Sequence, residues 1–132
     1  MSGNVLIVDD DPDSRDVVGR FLAREGYSVK TATNGREALV AVATVMPDLI
    51  ILDAMMPEMS GVEFLQVIRA YLRWSTVPVI LLTAFAEGPH IERAREFDVK
   101  CILLKSKYQL SDMLNCVRQL MIDPTTDCAA AG

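Results

Sequence analysis

Residues 48–61 read DLIILDAMMPEMSG, and the reading of this stretch decides the fold. The consecutive apolar residues 49–52 form the short unbroken run expected of a strand buried on both faces, and the run stops at a carboxylate, Asp53. In open parallel α/β sheets the C-terminal edge of a strand borders a crevice where ligands and reactive groups gather. Pro57 and Gly61 shape the exit loop, and Ser60 with Glu63 forms the S-x-x-E pattern that caps a following helix. Taken alone, Asp53 reads as a solvated turn acid. The rest of the chain changes that reading.

Toward the N-terminus, residues 5–8 form a second apolar run that also ends in carboxylates, Asp9, Asp10 and Asp11. Asp11 is placed to cap a helix with Pro12 in its first turn. That helix is expected over 12–25, burying Val17, Val18, Phe21 and Leu22 and ending at Gly26 in a left-handed turn. Residues 27–32 alternate instead, as a partly exposed edge strand does. Asn34, with Glu37 three residues on, caps a second helix running to about residue 45, where Met46 and Pro47 stop it.

Toward the C-terminus, a helix over 61–73 is expected to bury Phe64, Leu65, Ile68 and Leu72, and residues 76–82 (TVPVILL) form a strand ending at Thr83. A short, mostly polar helix opens around residues 87–90, with Ile91, Ala94 and Phe97 spaced for burial; it should be the least firmly held. Residues 101–104 are the fifth apolar run and end at Lys105. A last helix buries Leu110, Met113, Leu114, Val117 and Leu120, and residues 123–132 read as a disordered tail or linker after a single domain over 1–122. Strands alternating with helices in this way specify a three-layer α/β sandwich with a parallel sheet and right-handed crossovers.

Composition narrows the function classes. A net charge of −5 with scattered Lys and Arg argues against direct nucleic-acid binding. No apolar run approaches the roughly 20 residues that cross a bilayer, and the N-terminus lacks a basic signal region, so the chain reads as cytoplasmic with no membrane partner. Cys101, Cys116 and Cys128 match neither a disulfide framework nor a zinc pattern; the first two read as small core residues. His90 reads as an exposed helix-start residue and Trp74 as a helix-end packing residue.

Because parallel strands present their C-terminal ends on one side of the sheet, Asp9, Asp10, Asp53, Thr83 and Lys105 can converge on one pocket. Clustered carboxylates repel, so such a pocket holds a cation or raises a pKa. Hard oxygen donors suit Mg²⁺, which also bridges to phosphate oxygens. With the charge of Lys105 and the hydroxyl of Thr83, this describes a phosphoryl-transfer site in which Asp53 is nucleophile or ligand.

These residues resemble the receiver domain of two-component response regulators. The resemblance covers residues 5–121: the acidic pair Asp9 and Asp10, the D-x-x-M-P-x-x-x-G spacing of Asp53, Met56, Pro57 and Gly61, Thr83 followed by Ala84, and Lys105. It implies a flavodoxin-like fold with strand order 2-1-3-4-5. It implies that Asp53 accepts a phosphoryl group from a histidine kinase or histidine phosphotransferase with Mg²⁺, catalysing nothing beyond its own phosphorylation and dephosphorylation. By the same resemblance Asp10, Asp53 and the Met55 backbone carbonyl bind the metal and Asp9 acts through water, while Thr83 and Lys105 hold the phosphoryl oxygens. Output to a downstream effector domain or protein, or a phosphorylation-dependent homodimer, would use the fourth helix, fifth strand and fifth helix. Met55 and Phe85 would border the path of attacking water, and being apolar they would slow dephosphorylation.

Two positions depart from the pattern. Ser106 stands where the family has a cis proline after the lysine; a non-proline cis bond costs about 2.5–4 kcal/mol, so this peptide is trans or strained. The spacing from Lys105 to Leu110 is also one residue longer than usual. Ile102 stands at the family's aromatic position three before the lysine, so the usual Thr–aromatic coupling cannot operate. Two other readings compete: a pseudo-receiver that binds partners without phosphorylation, and a Mg²⁺-dependent aspartyl-phosphate hydrolase suggested by Asp9-x-Asp11. The complete acid, Thr and Lys set opposes the first. Asp13, where the hydrolase pattern has Thr or Val, and the lack of room for a cap oppose the second.

Overall fold

The computed structural model describes residues 3–125. In chain order its elements are β1 (Asn4–Val8), α1 (Pro12–Arg24), β2 (Ser28–Ala32), α2 (Gly35–Thr44), β3 (Leu49–Asp53), α3 (Gly61–Arg69), β4 (Val79–Thr83), α4 (Pro89–Glu96), β5 (Cys101–Leu104) and α5 (Leu110–Ile122). The strands form one parallel sheet in the order β2-β1-β3-β4-β5, as the resemblance implies. Among the described residues no helix is long and apolar enough to cross a membrane.

The unbroken apolar runs are explained by cover on both faces. Leu6, Val8, Ile50, Leu52, Val79 and Leu81 point into a core layer closed by Ala38 and Val42 of α2, Phe64, Leu65 and Ile68 of α3, and Ile91 and Ala94 of α4. Their neighbours Val5, Ile7, Leu49, Ile51, Ile80 and Leu82 point into a second layer closed by Val18 and Leu22 of α1 and by Met113, Val117 and Leu120 of α5. Cys101 and Cys116 are buried in that second layer with their Sγ atoms 2.9 Å apart. β2 lies at the edge and is mostly exposed.

The helix starts follow the sequence signals. The Asp11 carboxylate accepts from the Asp13 N–H at 3.0 Å and the Asn34 side chain from the Glu37 N–H at 2.9 Å; Ser60 and Glu63 form a reciprocal capping box. Gly26 takes a positive φ of 99° just past α1.

Other expectations are corrected. α3 ends at Arg69, four residues short of residue 73, and Leu72, expected in the core, is 94% exposed. The cause is Arg69 itself. Its guanidinium donates to the carbonyls of Phe97 (2.8 Å) and Val77 (2.7 Å), with longer bonds to those of Trp74, Ser75 and Asp98, so the chain after the helix wraps around the side chain. Trp74 packs there against Tyr71, ring centroids 5.0 Å apart, as a helix-end packing residue. β4 consequently starts at Val79 and takes in Thr83, where 76–82 was expected. Val17 is 52% exposed, because the sheet covers only the Val18 and Leu22 side of α1, and Leu110 and Leu114 are only partly buried. Of the expected tail, residues 123–125 make a turn in which the Asp123 carboxylate accepts from the Thr125 N–H and hydroxyl; residues 126–132 lie outside the described residues.

Candidate functional site

Two adjacent strands end at the same place and deliver the acids. Asp53 closes β3, and Asp9 and Asp10 follow β1; carboxylate oxygens of the three lie within 4.8 Å of one another. Asp9 and Asp53 are buried, at 1% and 2% exposure, while Asp10 is exposed. Asp9 is fixed by the N–H of Asp11, which donates to Asp9 Oδ1 at 2.9 Å, and by Arg15, which donates to the Asp9 carbonyl at 2.8 Å. Asp53 Oδ1 accepts from the Met55 N–H at 3.1 Å. Gly61 makes this turn possible: the loop returns so closely that a side chain there would run into the Asp53 carbonyl.

Lys105, just past β5, reaches across to the acids. Its Nζ lies 3.0 Å from Asp53 Oδ2 and 3.8 Å from Asp9 Oδ1. Burial pushes the Asp53 carboxyl up to about 7, against the Lys105 hydrogen bond and the Met55 N–H that favour its charged form; the nearby charge of Asp9 adds to the rise. Burial works against the Lys105 ammonium, but the Asp53 bond and the charges of Asp53, Asp9 and Asp10 outweigh it and raise its pKa. The Lys105–Ser106 peptide is trans, and the loop closes as a turn in which the N–H groups of Lys107 and Tyr108 both donate to the Leu104 carbonyl.

Asp9 Oδ2 and Asp53 Oδ2 are buried without a hydrogen-bond partner of acceptable geometry, although the second faces the Lys105 ammonium. The unpartnered Asp9 Oδ2, together with the Asp53 and Asp10 carboxylates beside it, forms a hard, anionic donor set, which fits a divalent metal.

The sequence matches the family model for the response regulator receiver domain over residues 5–118. The chain belongs to the receiver family. As a receiver it is similar to the response regulator MprA of Mycolicibacterium vanbaalenii, 34% identical over 131 residues, covering 98% of this chain and 55% of that protein. Among solved structures it resembles the signal receiver domain of a signal transduction histidine kinase from Syntrophus aciditrophicus, with 30% identity, a TM-score of 0.84 and coverage of 98% of this chain and 99% of that one. It also resembles the chemotaxis protein CheY4 of Vibrio cholerae, with 29% identity, a TM-score of 0.83 and coverage of 90% and 98%. The receiver spans 63% of the length of one curated relative it matches and 18% of another.

Of the residues that the sequence singled out in this receiver, Asp9, Asp10, Asp53 and Lys105 meet at one point. Thr83 sits on the same sheet edge, and its carbonyl accepts from the Lys105 N–H at 2.8 Å. Its hydroxyl, however, is engaged elsewhere. It donates to the Phe85 carbonyl at 3.1 Å, accepts from the Phe85 N–H at 3.2 Å, and lies 3.3 Å from Nε2 of His90. His90, read from sequence as an exposed helix-start residue, is partly buried against Thr83; the loop path through residues 84–88 brings it there, and no periodicity announces it. Met55 and Phe85 are exposed apolar side chains, at 60% and 62%, on the loops that leave β3 and β4.

Proposed function

We propose that this receiver accepts a phosphoryl group on Asp53 from a histidine kinase or histidine phosphotransferase in a phosphorelay and passes the signal on through α4, β5 and α5 to an effector domain or protein. The observation that carries this reading is the burial of Asp53 at a strand end between two further carboxylates and the Lys105 ammonium. An ionised Asp53 oxygen attacks phosphorus, the phosphorus–nitrogen bond of the donor imidazole breaks, and the electron pair leaves with the nitrogen. Lys105, ion-paired with Asp53 beforehand, favours the ionised nucleophile and afterwards neutralises the new phosphoryl oxygens. Asp9, Asp10, Asp53 and the Met55 carbonyl would hold Mg²⁺. When bound, Mg²⁺ supplies charge neutralisation between carboxylates and phosphoryl oxygens. On this reading the chain is no enzyme toward other substrates: it catalyses only its own phosphorylation and dephosphorylation.

The test is incubation with a small phosphodonor and Mg²⁺, followed by intact mass and peptide mapping. One added phosphoryl group on Asp53, lost in Asp53→Asn and without Mg²⁺, is expected. A modification that persists in Asp53→Asn removes the assignment.

A further inference from the structure

The Thr83 hydroxyl has one proton to give, and in the resting structure that proton is committed between the Phe85 carbonyl and the imidazole of His90. Its accepting side takes the Phe85 N–H, and also the Nε2 proton when the imidazole tautomer places one there. In either tautomer, to donate to a phosphoryl oxygen on Asp53 the hydroxyl must give up this arrangement. Thr83 is β-branched and 1% exposed, so the change is a jump between a few staggered rotamers, which carries Oγ1 away from the ring.

The imidazole is built into place. Gly88 has a positive φ of 129°, and a Cβ there would lie 3.3 Å from His90 Nδ1, so a glycine lets the ring fold back over the start of the helix. Phe85 flanks it edge-on, with ring centroids 6.3 Å apart. His90 follows Pro89 in the first turn of α4, whose N-cap makes no side-chain hydrogen bond and whose buried residues are only Ile91 and Ala94. With no side-chain cap, this end of α4 is held by the buried Ile91 and by the contact of His90 with Thr83. Ile102, buried at 8% on β5, has no polar atom with which to respond to Thr83.

We propose that His90 is the positioning residue that reads the Thr83 hydroxyl and transmits its state to α4: it holds the hydroxyl off Asp53 at rest, and loses it when Asp53 is phosphorylated, freeing the first turn of the helix. This rests on the phosphoryl-acceptor reading given above. It assigns the coupling to a side chain on the helix and not to one on β5.

His90 is the single histidine of the chain, so an untagged, ¹⁵N-labelled sample gives one imidazole to observe by NMR. In the unphosphorylated protein, Thr83→Val removes the hydroxyl and is expected to shift the His90 Nε2 resonance; an unchanged imidazole overturns the proposal. With phosphodonor and Mg²⁺, intact mass and the imidazole spectrum are followed together, and both should change. A phosphoryl group gained with a static imidazole overturns the proposal and leaves the acceptor reading standing, whereas no gain of mass removes that reading and the proposal with it. The third arm compares His90→Gln, which keeps a hydrogen-bonding nitrogen, with His90→Leu, both checked by mass to be phosphorylated. Exchange of the Ile91 and Glu92 amides, which donate to the Gly88 carbonyl at 3.1 Å, should change on phosphorylation by on the order of fivefold in the parent and in His90→Gln, and not in His90→Leu. A parental response in His90→Leu overturns the proposal.

Discussion

Replacing Asp53 by Asn should make the metal-free fold more stable at pH 8 and by much less at pH 5. Asp53 is 2% exposed, and burial raises its carboxyl from 3.8 to about 7. The folded state thus binds this proton more tightly than the unfolded chain does. The stability the proton contributes is complete below about pH 4 and is lost as pH climbs through about 7. Fully ionised, a carboxyl so displaced costs the fold about 4 kcal/mol. Asparagine has nearly the same shape and no charge, and because the pocket opens to solvent at Asp10, which screens the charge, about half of that cost, about 2 kcal/mol, is the expected gain at pH 8. In a chain of 132 residues this corresponds to a rise in Tm of about 6–10 °C. At pH 5 the native Asp53 is protonated and neutral but the unfolded chain's carboxyl is already ionised, so only the smaller part of that gain should be present, and it should vanish below about pH 4. Calorimetric melts of both proteins in chelator at a series of pH values measure the difference. A gain of the same size at pH 5 and pH 8 would refute the reasoning, since it would show that packing and not charge sets the cost. Adding Mg²⁺ at pH 8 should raise the Tm of the parent more than that of Asp53→Asn.

The neighbouring acids should separate by role: Asp10→Ala is expected to weaken Mg²⁺ affinity at least tenfold, whereas Asp11→Ala, whose carboxylate caps α1, should chiefly cost about 1 kcal/mol of stability, and calorimetric titration with urea unfolding distinguishes them. The phosphoryl group on Asp53 should be long-lived, because neither exposed Met55 nor Phe85 can orient attacking water; Met55→Asn and Phe85→Glu should shorten its lifetime roughly tenfold, and equal lifetimes in parent and variants would end the gating argument. Arg69→Met should lower stability by about 2–4 kcal/mol in urea titrations, and Arg69→Lys should recover little, because an ammonium lacks the planar fork whose separate nitrogens reach the carbonyls of Val77 and Phe97.

The sheet and the acidic pocket were legible because each rests on a local signal. The apolar runs at 5–8, 49–52 and 101–104 reflect strands covered on both faces, and each stops at the residue that the sheet edge presents. Asp11, Asn34 and Ser60 act on amides two or three residues away, within reach of a short motif. What escaped depends on contacts between distant segments. Leu72 continues the spacing of Phe64, Leu65 and Ile68, yet the helix stops before it, because Arg69 bonds to carbonyls as far as Asp98; a guanidinium serving backbone leaves no pattern in side-chain sequence. Val17 lies on the margin of the α1 stripe, and only the width of the sheet beneath decides that it is exposed. The reach of His90 to Thr83 depends on the backbone conformation at Gly88, which composition does not reveal.

Arg69 also fixes the geometry of any movement in α4. The far end of that helix is pinned, since the guanidinium grips the carbonyls of Phe97 and Asp98, just past Glu96. Eight residues at 1.5 Å each make α4 an arm about 12 Å long, clamped at its C-terminal end and lightly latched at the other. Such an arm swings and does not slide. A tilt of about 10° would carry the Pro89 end some 2 Å, roughly 12 Å multiplied by the tangent of that angle, while Phe97 stays in place. The surface offered to a partner would therefore change most beside the acid-bearing edge of the sheet and least at the opposite rim, a gradient along a single helix.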